Sequence, residues 1–341
     1  MARVAINGFG RIGRLFFRQA FPHLDIVAVN DVSAAENLAY LLRHDTVYWG
    51  YDKAVSTVVE EGKNYLVVQD KKIVVLKEKD PSALPWKELG VDIVVEATGL
   101  FESFEKARAH IAAGALRVVM SAPAGDAETH DGKTVLLGVN DDQLKTCLVS
   151  SLGSCTTNAA HPVMAIMMET VGVKKAFLTT VHGYTATQSL VDGTARGTDF
   201  RRGRAGAFNI IPSTTGAAIS VARALPALNG IFDALALRVP VITGSLASIS
   251  FVANRATSSD EINGIFKNAA VNPRWNGVVA VSSEPLVSSD VIGMPYGAII
   301  DLSCTTVVDH DLVQVVSWYD NEWGYAALLL KHVQKVIEVI G

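Results

Sequence analysis

The stretch Asn7-Gly8-Phe9-Gly10-Arg11-Ile12-Gly13-Arg14 decides the fold. The apolar run Val4-Ala5-Ile6 leads into it as a buried strand, and Leu15 to Ala20 continue it as a helix. Ile26-Val27-Ala28-Val29 is a second strand, ending at Asn30-Asp31. Strand, glycine turn, helix and strand make a βαβ unit whose crossover is expected to be right-handed. Gly8-x-Gly10-x-x-Gly13 matches a dinucleotide fingerprint. Gly8 permits the tight turn, Gly10 lets a pyrophosphate approach the backbone, and Gly13 lets the helix pack on the strand. The helix N-terminus offers N–H groups and the positive end of its dipole to the phosphates. Asp31 lies 18 positions past Gly13, close to the ~20 expected of the carboxylate that bonds a ribose. Such a carboxylate accepts from the 2′- and 3′-hydroxyls and repels a 2′-phosphate, so NAD is expected rather than NADP.

Strand-like runs continue at Ile73–Leu76, Asp92–Val95, Arg117–Met120 and Cys147–Val149, with a helix-like stretch at Glu105–Ala113. Strands alternating with helices predict an α/β, doubly wound and mostly parallel sheet. After Cys155 the texture changes. Phe177–Val181, Ala234–Arg238, Leu246–Ala253, Gly277–Val281, Ala298–Cys304 and Leu312–Trp318 read as strands with few helices between them. That pattern predicts a second, α+β domain. The expected division is 1–154 and 155–318, with a helix-bearing tail, 319–341, returning to the first domain. Ala195–Gly206, rich in Gly, Thr and Arg, reads as a long basic loop, and long ordered loops are often functional.

Composition narrows the class. The 341 residues carry 30 Lys and Arg against 34 Asp and Glu, a net charge of −4, which supplies no drive toward nucleic acid or anionic membrane. Hydrophobic residues make up 49% and charged residues 19%, a balance that suits a large core and argues against disorder. No apolar run reaches the ~18 residues of a membrane span. Met1 to Ala5 enter a strand pattern at once, so no signal peptide is expected and the cytoplasm is the expected compartment. Cys147, Cys155 and Cys304 have no C-x-x-C spacing, which argues against a disulfide framework and a structural zinc site.

Ser151-Leu152-Gly153-Ser154-Cys155-Thr156-Thr157-Asn158 follows the last strand of the first domain. Ala159–Val171 is helix-compatible apart from Pro162, which requires a first helical turn or a kink. A cysteine at a strand-to-helix junction gains from the helix dipole, which lowers a thiol pKa. His182 follows 27 residues later, at the end of the strand Phe177–Val181. A thiolate beside an imidazolium is a nucleophile that exists at neutral pH. By spacing alone the pair also reads as a buried structural cysteine and a satisfied core histidine. Cys304 sits in a similar Ser-Cys-Thr-Thr string but inside a strand, so it reads as structural, and Cys147 reads as a strand-core residue.

N-G-F-G-R-I-G-R, E-A-T-G (Glu96–Gly99), S-C-T-T-N, T-V-H-G-Y-T (Thr180–Thr185), N-I-I-P-S-T-T-G-A-A (Asn209–Ala218), R-V-P (Arg238–Pro240) and S-W-Y-D-N-E-W-G-Y (Ser317–Tyr325) occur in that order. Over essentially its whole length the chain resembles the phosphorylating glyceraldehyde-3-phosphate dehydrogenases. The resemblance implies a Rossmann-type NAD-binding domain and a catalytic domain with a mostly antiparallel sheet. It implies oxidation of glyceraldehyde 3-phosphate to 1,3-bisphosphoglycerate through a hemithioacetal and a thioester, with inorganic phosphate as second substrate and a homotetrameric assembly. Cys155 would be the nucleophile and His182 the base, with the Cys155 N–H and the His182 ring as oxyanion donors. Thr185 and Arg238 would hold the substrate's own phosphate. Ser154, Thr156, Thr215 and Gly216 would hold inorganic phosphate. One of Arg201, Arg202 and Arg204 would reach a phosphate, Arg202 being the one selected. Around the cofactor stand Gly8, Gly10, Arg11, Ile12, Gly13, Asp31, Lys79, Thr98 and Ser121, with Asn321 on the nicotinamide carboxamide.

The chain departs from the family's usual wording at Ser151-Leu152-Gly153, at Ala159, at Gly183 and above all at Val241–Ser248. Two other functions compete. An erythrose-4-phosphate dehydrogenase would tend to lose the threonine at 185 and the pair at 215–216. A non-enzymatic NAD-binding or nucleic-acid-binding homologue would have little reason to keep Cys155, His182, Thr185, Thr215 and Arg238 together.

Overall fold

The computed structural model describes residues 2–195 and 197–341; Arg196, in the basic loop, and Met1 lie outside the described residues. The chain divides into two compact units. One comprises Met1–Val135, Asp141–Gly153 and Leu329–Gly341, the other Leu136–Asn140 and Ser154–Leu328.

The first unit is built on nine strands: β1 (Arg3–Asn7), β2 (Asp25–Asn30), β3 (Val55–Glu60), β4 (Lys63–Val68), β5 (Lys71–Leu76), β6 (Ile93–Glu96), β7 (Arg117–Met120), β8 (Gly132–Thr134) and β9 (Val149–Ser151). Their order is β3-β4-β5-β2-β1-β6-β7-β9-β8. The strands from β5 to β8 pair in parallel. Val4, Ala5 and Ile6 of β1 and Ile93, Val94 and Val95 of β6 are wholly buried, as a parallel sheet covered on both faces requires. The chain leaves β1 for β2 on one side and reaches β6 on the other, so the carboxyl ends of β1 and β6 flank the switch point where doubly wound sheets bind ligands.

Helix α1 (Arg11–Ala20) turns Leu15, Phe16 and Phe17 inward, and the rings of Phe9 and Phe17 meet edge to face at 5.4 Å. Two of the fingerprint glycines are demanded by the backbone. Gly8 has φ +93°, and a Cβ there would lie 2.6 Å from the Ala97 backbone, while a Cβ on Gly13 would lie 2.1 Å from the Gly8 carbonyl oxygen.

Several local features differ from the sequence reading. The β3–β4 hairpin was not expected; its turn, Glu61-Gly62, has both residues at positive φ, as a tight hairpin requires, but lacks the usual Asn-Gly signature. Helix α2 (Ala35–Arg43) is also additional. The stretch read as one helix over Glu105–Ala113 is two single turns, α3 (Phe104–Ala107) and α4 (Ala109–Ala112), interrupted at Arg108. Cys147 is buried but lies in the turn before β9, not in a strand.

The second unit carries seven strands: β10 (Val173–Gly183), β11 (Ile211–Ser213), β12 (Phe232–Val239), β13 (Ser245–Ala253), β14 (Val279–Ser282), β15 (Ala298–Val308) and β16 (Leu312–Tyr319). They are ordered β11-β12-β10-β13-β16-β15-β14. The sheet is mostly antiparallel; β10–β12 and β14–β15 run parallel. Burial alternates residue by residue along β13, the pattern of a sheet with one covered face. Helix α5 (Cys155–Thr170) packs against β10, β13, β15 and β16, and every residue from Thr156 to Met167 is buried. Pro162 lies inside this helix rather than in its first turn. Helices α6 (Ala217–Ala224) and α7 (Ser259–Ala270) complete the unit, and α8 (Trp323–Ile340) passes into the first unit from Leu329 onward.

Candidate active site

Cys155 is the first residue of α5, and Ser154 caps that helix. The Ser154 hydroxyl accepts from the Thr157 N–H at 3.1 Å, while the Thr157 hydroxyl accepts from the Ser154 N–H at 3.0 Å. This reciprocal capping box stabilises the helix start, by about 1 kcal/mol for the cap alone, and thereby fixes the cysteine's backbone. The Cys155 Sγ lies 3.3 Å from His182 Nε2. Burial pushes the thiol pKa up. The Arg238 charge and hydrogen bonds from the Thr156 and Cys155 N–H groups and the Thr156 side chain pull it down.

His182 sits at the end of β10 and is buried. The parallel register of β10 and β12 sets it opposite Arg238. Arg238 Nη1 is 2.7 Å from His182 Nδ1, and the Gly183 carbonyl oxygen is also 2.7 Å from that nitrogen. The carbonyl only accepts and the guanidinium only donates, so the two select opposite tautomers. When Nδ1–H donates to Gly183, the unprotonated Nε2 faces the thiol. Burial, then the Arg238 charge, pushes the His182 pKa down to about 3. Burial thus works against charge on both members of the pair, while Arg238 and the N–H groups at the helix start favour the thiolate.

The hydroxyl of Tyr319 lies 3.0 Å from Thr156 Oγ1 and 2.7 Å from Thr180 Oγ1, and the Tyr319 ring meets His182 edge to face at 6.0 Å. Tyr319 thus joins the start of α5 to β10. The sequence reading quoted this tyrosine without giving it a role. Its position two residues before Asn321 was the available signal.

The residues expected to hold anions fall at the end of β10, at the starts of α5 and α6 and in the basic loop. Thr185 lies just beyond β10, its N–H donating to Gln188 Oε1 at 2.9 Å and its hydroxyl 3.0 Å from that of Thr187. Thr215 and Gly216 form the entry to α6; the Thr215 hydroxyl accepts from the Ala217 N–H, and the space beside Gly216 is open. Thr156 is buried, with its hydroxyl engaged by Tyr319. Of the three loop arginines expected near phosphate, Arg201 and Arg202 both pair with Asp199 and Arg204 pairs with Asp192; the side chains of Arg201 and Arg204 are about 60% exposed. The Arg202 side chain is 29% exposed, and its charge is felt at Arg238. Cys304 is exposed on β15.

In the first unit the expected cofactor residues gather at the carboxyl ends of parallel strands. Gly8 follows β1, Asp31 follows β2, Thr98 stands two residues past β6, and Ser121 follows β7. Nothing lies within 4 Å of the place a Gly10 Cβ would occupy, and no side chain caps α1. Asp31 accepts from the Phe9 N–H through Oδ2 and from the Ser33 N–H through Oδ1, each at 2.9 Å. Lone pairs remain on both oxygens, so an open helix start beside a part-buried carboxylate fits a dinucleotide. Ile12 lies in the first turn of α1. Arg11, beside it, directs its side chain to Asp45 and over the ring of Tyr48. Lys79 is exposed beyond β5.

Beneath the glycine turn runs a buried polar chain that sequence reasoning missed. Asn30 donates to Asn7, and Asn7 to Glu96 Oε2; His110 Nε2 lies 3.1 Å from the same oxygen. Trp86 Nε1 donates to His110 Nδ1 at 3.0 Å. An indole only donates, so Nδ1 accepts and Nε2 carries the proton toward Glu96. Glu96 Oε1 receives both the N–H and the hydroxyl of Thr98.

Asn321, in the second unit, is nearly buried. Its Oδ1 accepts from the Gly244 N–H at 3.1 Å and from the Ser245 hydroxyl at 2.9 Å.

The comparisons with known proteins bear on the whole chain. A family model described as the glyceraldehyde 3-phosphate dehydrogenase NAD binding domain matches residues 2–104, and one for the C-terminal domain of the same family matches 154–321. The chain is 43% identical over 340 residues to the glyceraldehyde-3-phosphate dehydrogenase of Clostridium pasteurianum, covering 98% of each. It is 42% identical over 344 residues to that of Thermotoga maritima, covering 99% of this chain and all of the relative. It is 42% identical over 338 residues to glyceraldehyde-3-phosphate dehydrogenase 2 of Bacillus subtilis, covering 97% and 96%.

Proposed function

The chain belongs to the glyceraldehyde-3-phosphate dehydrogenase family, and on that premise we propose that it oxidises glyceraldehyde 3-phosphate to 1,3-bisphosphoglycerate, reversibly, with NAD and inorganic phosphate. The observation that carries this reading is the 3.3 Å contact between Cys155 Sγ and His182 Nε2 at the start of a capped helix.

Transfer of the thiol proton to Nε2 creates a thiolate and an imidazolium together. Burial then opposes one compact dipole rather than two separated charges. The Thr156 and Cys155 N–H groups and the Arg238 guanidinium favour the thiolate. Sγ attacks the aldehyde carbon, the carbonyl π pair moves to oxygen, and the oxygen takes a proton from His182 to give a hemithioacetal. NAD supplies the hydride acceptor. As the hydride leaves carbon, His182 takes the hydroxyl proton back and a thioester remains on Cys155. A phosphate oxygen attacks the thioester carbonyl, the C–S bond breaks, and the acyl phosphate departs from a regenerated thiolate. A base so placed contributes about 10²–10⁴-fold.

Arg238 and Thr185 hold the substrate's phosphate in this account. Thr215 and Gly216, with Ser154 and Thr156, hold inorganic phosphate, and Arg202 is the loop arginine that faces the anions. Asp31 bonds the adenosine ribose, and Asn321 meets the nicotinamide carboxamide. We also infer a homotetramer in the cytoplasm. Leu190, Val191, Phe200, Phe208 and Ile210 are all more than two-thirds exposed along one loop, which supports burial against further copies. Three free cysteines suit a reducing compartment. Among the described residues, no helix is long and apolar enough to cross a membrane.

The test is NADH absorbance with glyceraldehyde 3-phosphate, NAD and phosphate, each omitted in turn. Sustained turnover is expected only with all three. Undiminished turnover without phosphate would overturn the phosphorylating reading.

A further inference from the structure

The segment Val241–Ser248 is where the chain departs most from its family's wording, and it contains the three residues that surround the Asn321 side-chain oxygen. The Gly244 N–H donates to Oδ1 at 3.1 Å, the Ser245 hydroxyl lies 2.9 Å from it, and the Thr243 hydroxyl 3.4 Å. A backbone N–H cannot accept, so the contact with Gly244 favours the amide with Oδ1 turned toward this segment, and the Ser245 hydroxyl adds a second donor to the same oxygen. Ser245 Oγ in turn accepts from the Gly183 N–H at 3.2 Å, which leaves its proton for Asn321. The line therefore has one direction: Gly183 N–H to Ser245 Oγ–H to Asn321 Oδ1.

Gly183 follows His182 directly, and Ser245 is 1% exposed, so this hydroxyl is shielded from solvent. Gly244 has φ +87°, and a Cβ there would lie 2.3 Å from the Ser288 carbonyl oxygen. The turn that aims its N–H at Asn321 thus requires glycine. No side chain or carbonyl among the described residues accepts from Asn321 Nδ2.

We infer that Ser245 is a positioning residue for the cofactor, locking the Asn321 amide so that only its N–H₂ is presented to a ligand and tying that orientation to the backbone beside His182. This rests on the reading that Asn321 meets the nicotinamide carboxamide. The consequence is chemical: the residue recognises an acceptor, the carboxamide oxygen, and not the carboxamide NH₂. An NAD analogue with methyl in place of that NH₂ keeps the acceptor. One with sulfur in place of the oxygen has a poor acceptor.

Dissociation constants measured by calorimetry for NAD, its 3-acetylpyridine analogue and its thionicotinamide analogue test this. Wild type is expected to bind the acetylpyridine analogue about as well as NAD and the thio analogue about 2- to 10-fold more weakly, the worth of one neutral hydrogen bond. Ser245→Ala, which leaves the Gly244 N–H as the main hold on the amide, should weaken NAD by up to the same factor and narrow the discrimination, and Ser245→Thr, which keeps the hydroxyl, should restore it. A merely structural role would weaken all three ligands in parallel, and that outcome overturns the inference. Equal binding of both analogues by wild type overturns it without any variant, which decides the matter should Ser245→Ala not fold. Asn321→Ala separates the two layers. Unchanged NAD affinity in that variant defeats the reading of Asn321 itself, whereas weakened NAD there with an unaffected Ser245→Ala defeats only the role of Ser245.

Discussion

His182 and Arg238 stand opposite each other in the parallel register of β10 and β12, with Arg238 Nη1 2.7 Å from His182 Nδ1. The guanidinium stabilises a thiolate on Cys155 and opposes an imidazolium on His182. A phosphate ester bound to Arg238 would offset that positive charge where the histidine feels it.

Arg238→Gln should therefore separate substrates by charge. Losing a charge-assisted hydrogen bond costs about 1.5–3 kcal/mol, roughly 10- to 100-fold in affinity. The KM for glyceraldehyde 3-phosphate should rise by about that factor, while kcat/KM for unphosphorylated glyceraldehyde should change much less. The same loss for both aldehydes would mean that Arg238 does not meet the substrate's phosphate.

His182→Asn should lower kcat by about 10²–10⁴-fold and slow alkylation of Cys155 by iodoacetamide near neutral pH. The variant removes the acceptor for the thiol proton. An alkylation profile identical to wild type across pH would show that the 3.3 Å contact does not activate the sulfur.

Asp31→Ala should raise the KM for NAD and narrow the preference over NADP. The carboxylate accepts from two backbone N–H groups and, in this account, from the ribose hydroxyls. Its loss should cost about 1.5–3 kcal/mol for NAD, and it removes repulsion of a 2′-phosphate. kcat/KM for both cofactors on wild type and variant checks this; a wild type that uses both equally contradicts it.

The parts of the fold legible in the sequence are those written locally. The glycine turn, the strand before it and Asp31 after the next strand lie within about thirty residues, and each has a backbone reason. Cys155 was legible because a capped helix start follows a strand in consecutive residues. The His182–Arg238 contact was not legible, because it depends on β12 pairing with β10 across 56 positions. The partners of Asn321 lie 76 to 78 positions away and were equally hidden. The effect of burial on the cysteine–histidine pair was hidden for a related reason: motif spacing carries no information about burial, and burial is the largest influence on both groups. Pro162 shows the same limit, since packing on all sides sustains a helix that propensity alone would break.

Acid stability should report on His332. Its ring is buried in α8, with Nε2 2.8 Å from the Ser150 hydroxyl. Burial holds its pKa down to about 4, against an ordinary 6.5. The unfolded chain takes up this proton near pH 6.5 and the folded chain only near pH 4, so between these values the unfolded state binds more protons. Stability contributed by the neutral ring is thus complete above pH 6.5 and falls as pH drops, by an amount on the order of 3 kcal/mol at pH 4. Urea unfolding of wild type and His332→Gln between pH 7 and 4 should show a shallower decline in the variant. Parallel declines would mean that His332 titrates alike in both states.

The central claim is that Cys155 carries the substrate covalently. Enzyme mixed with glyceraldehyde 3-phosphate and NAD, with no phosphate present, should accumulate the thioester. Rapid acid quenching, proteolysis and mass spectrometry should find one phosphoglyceroyl group on the peptide bearing Cys155 and none on those bearing Cys147 or Cys304. NADH formation at the wild-type burst rate with Cys155 unmodified, or with the acyl group on another residue, would contradict the account.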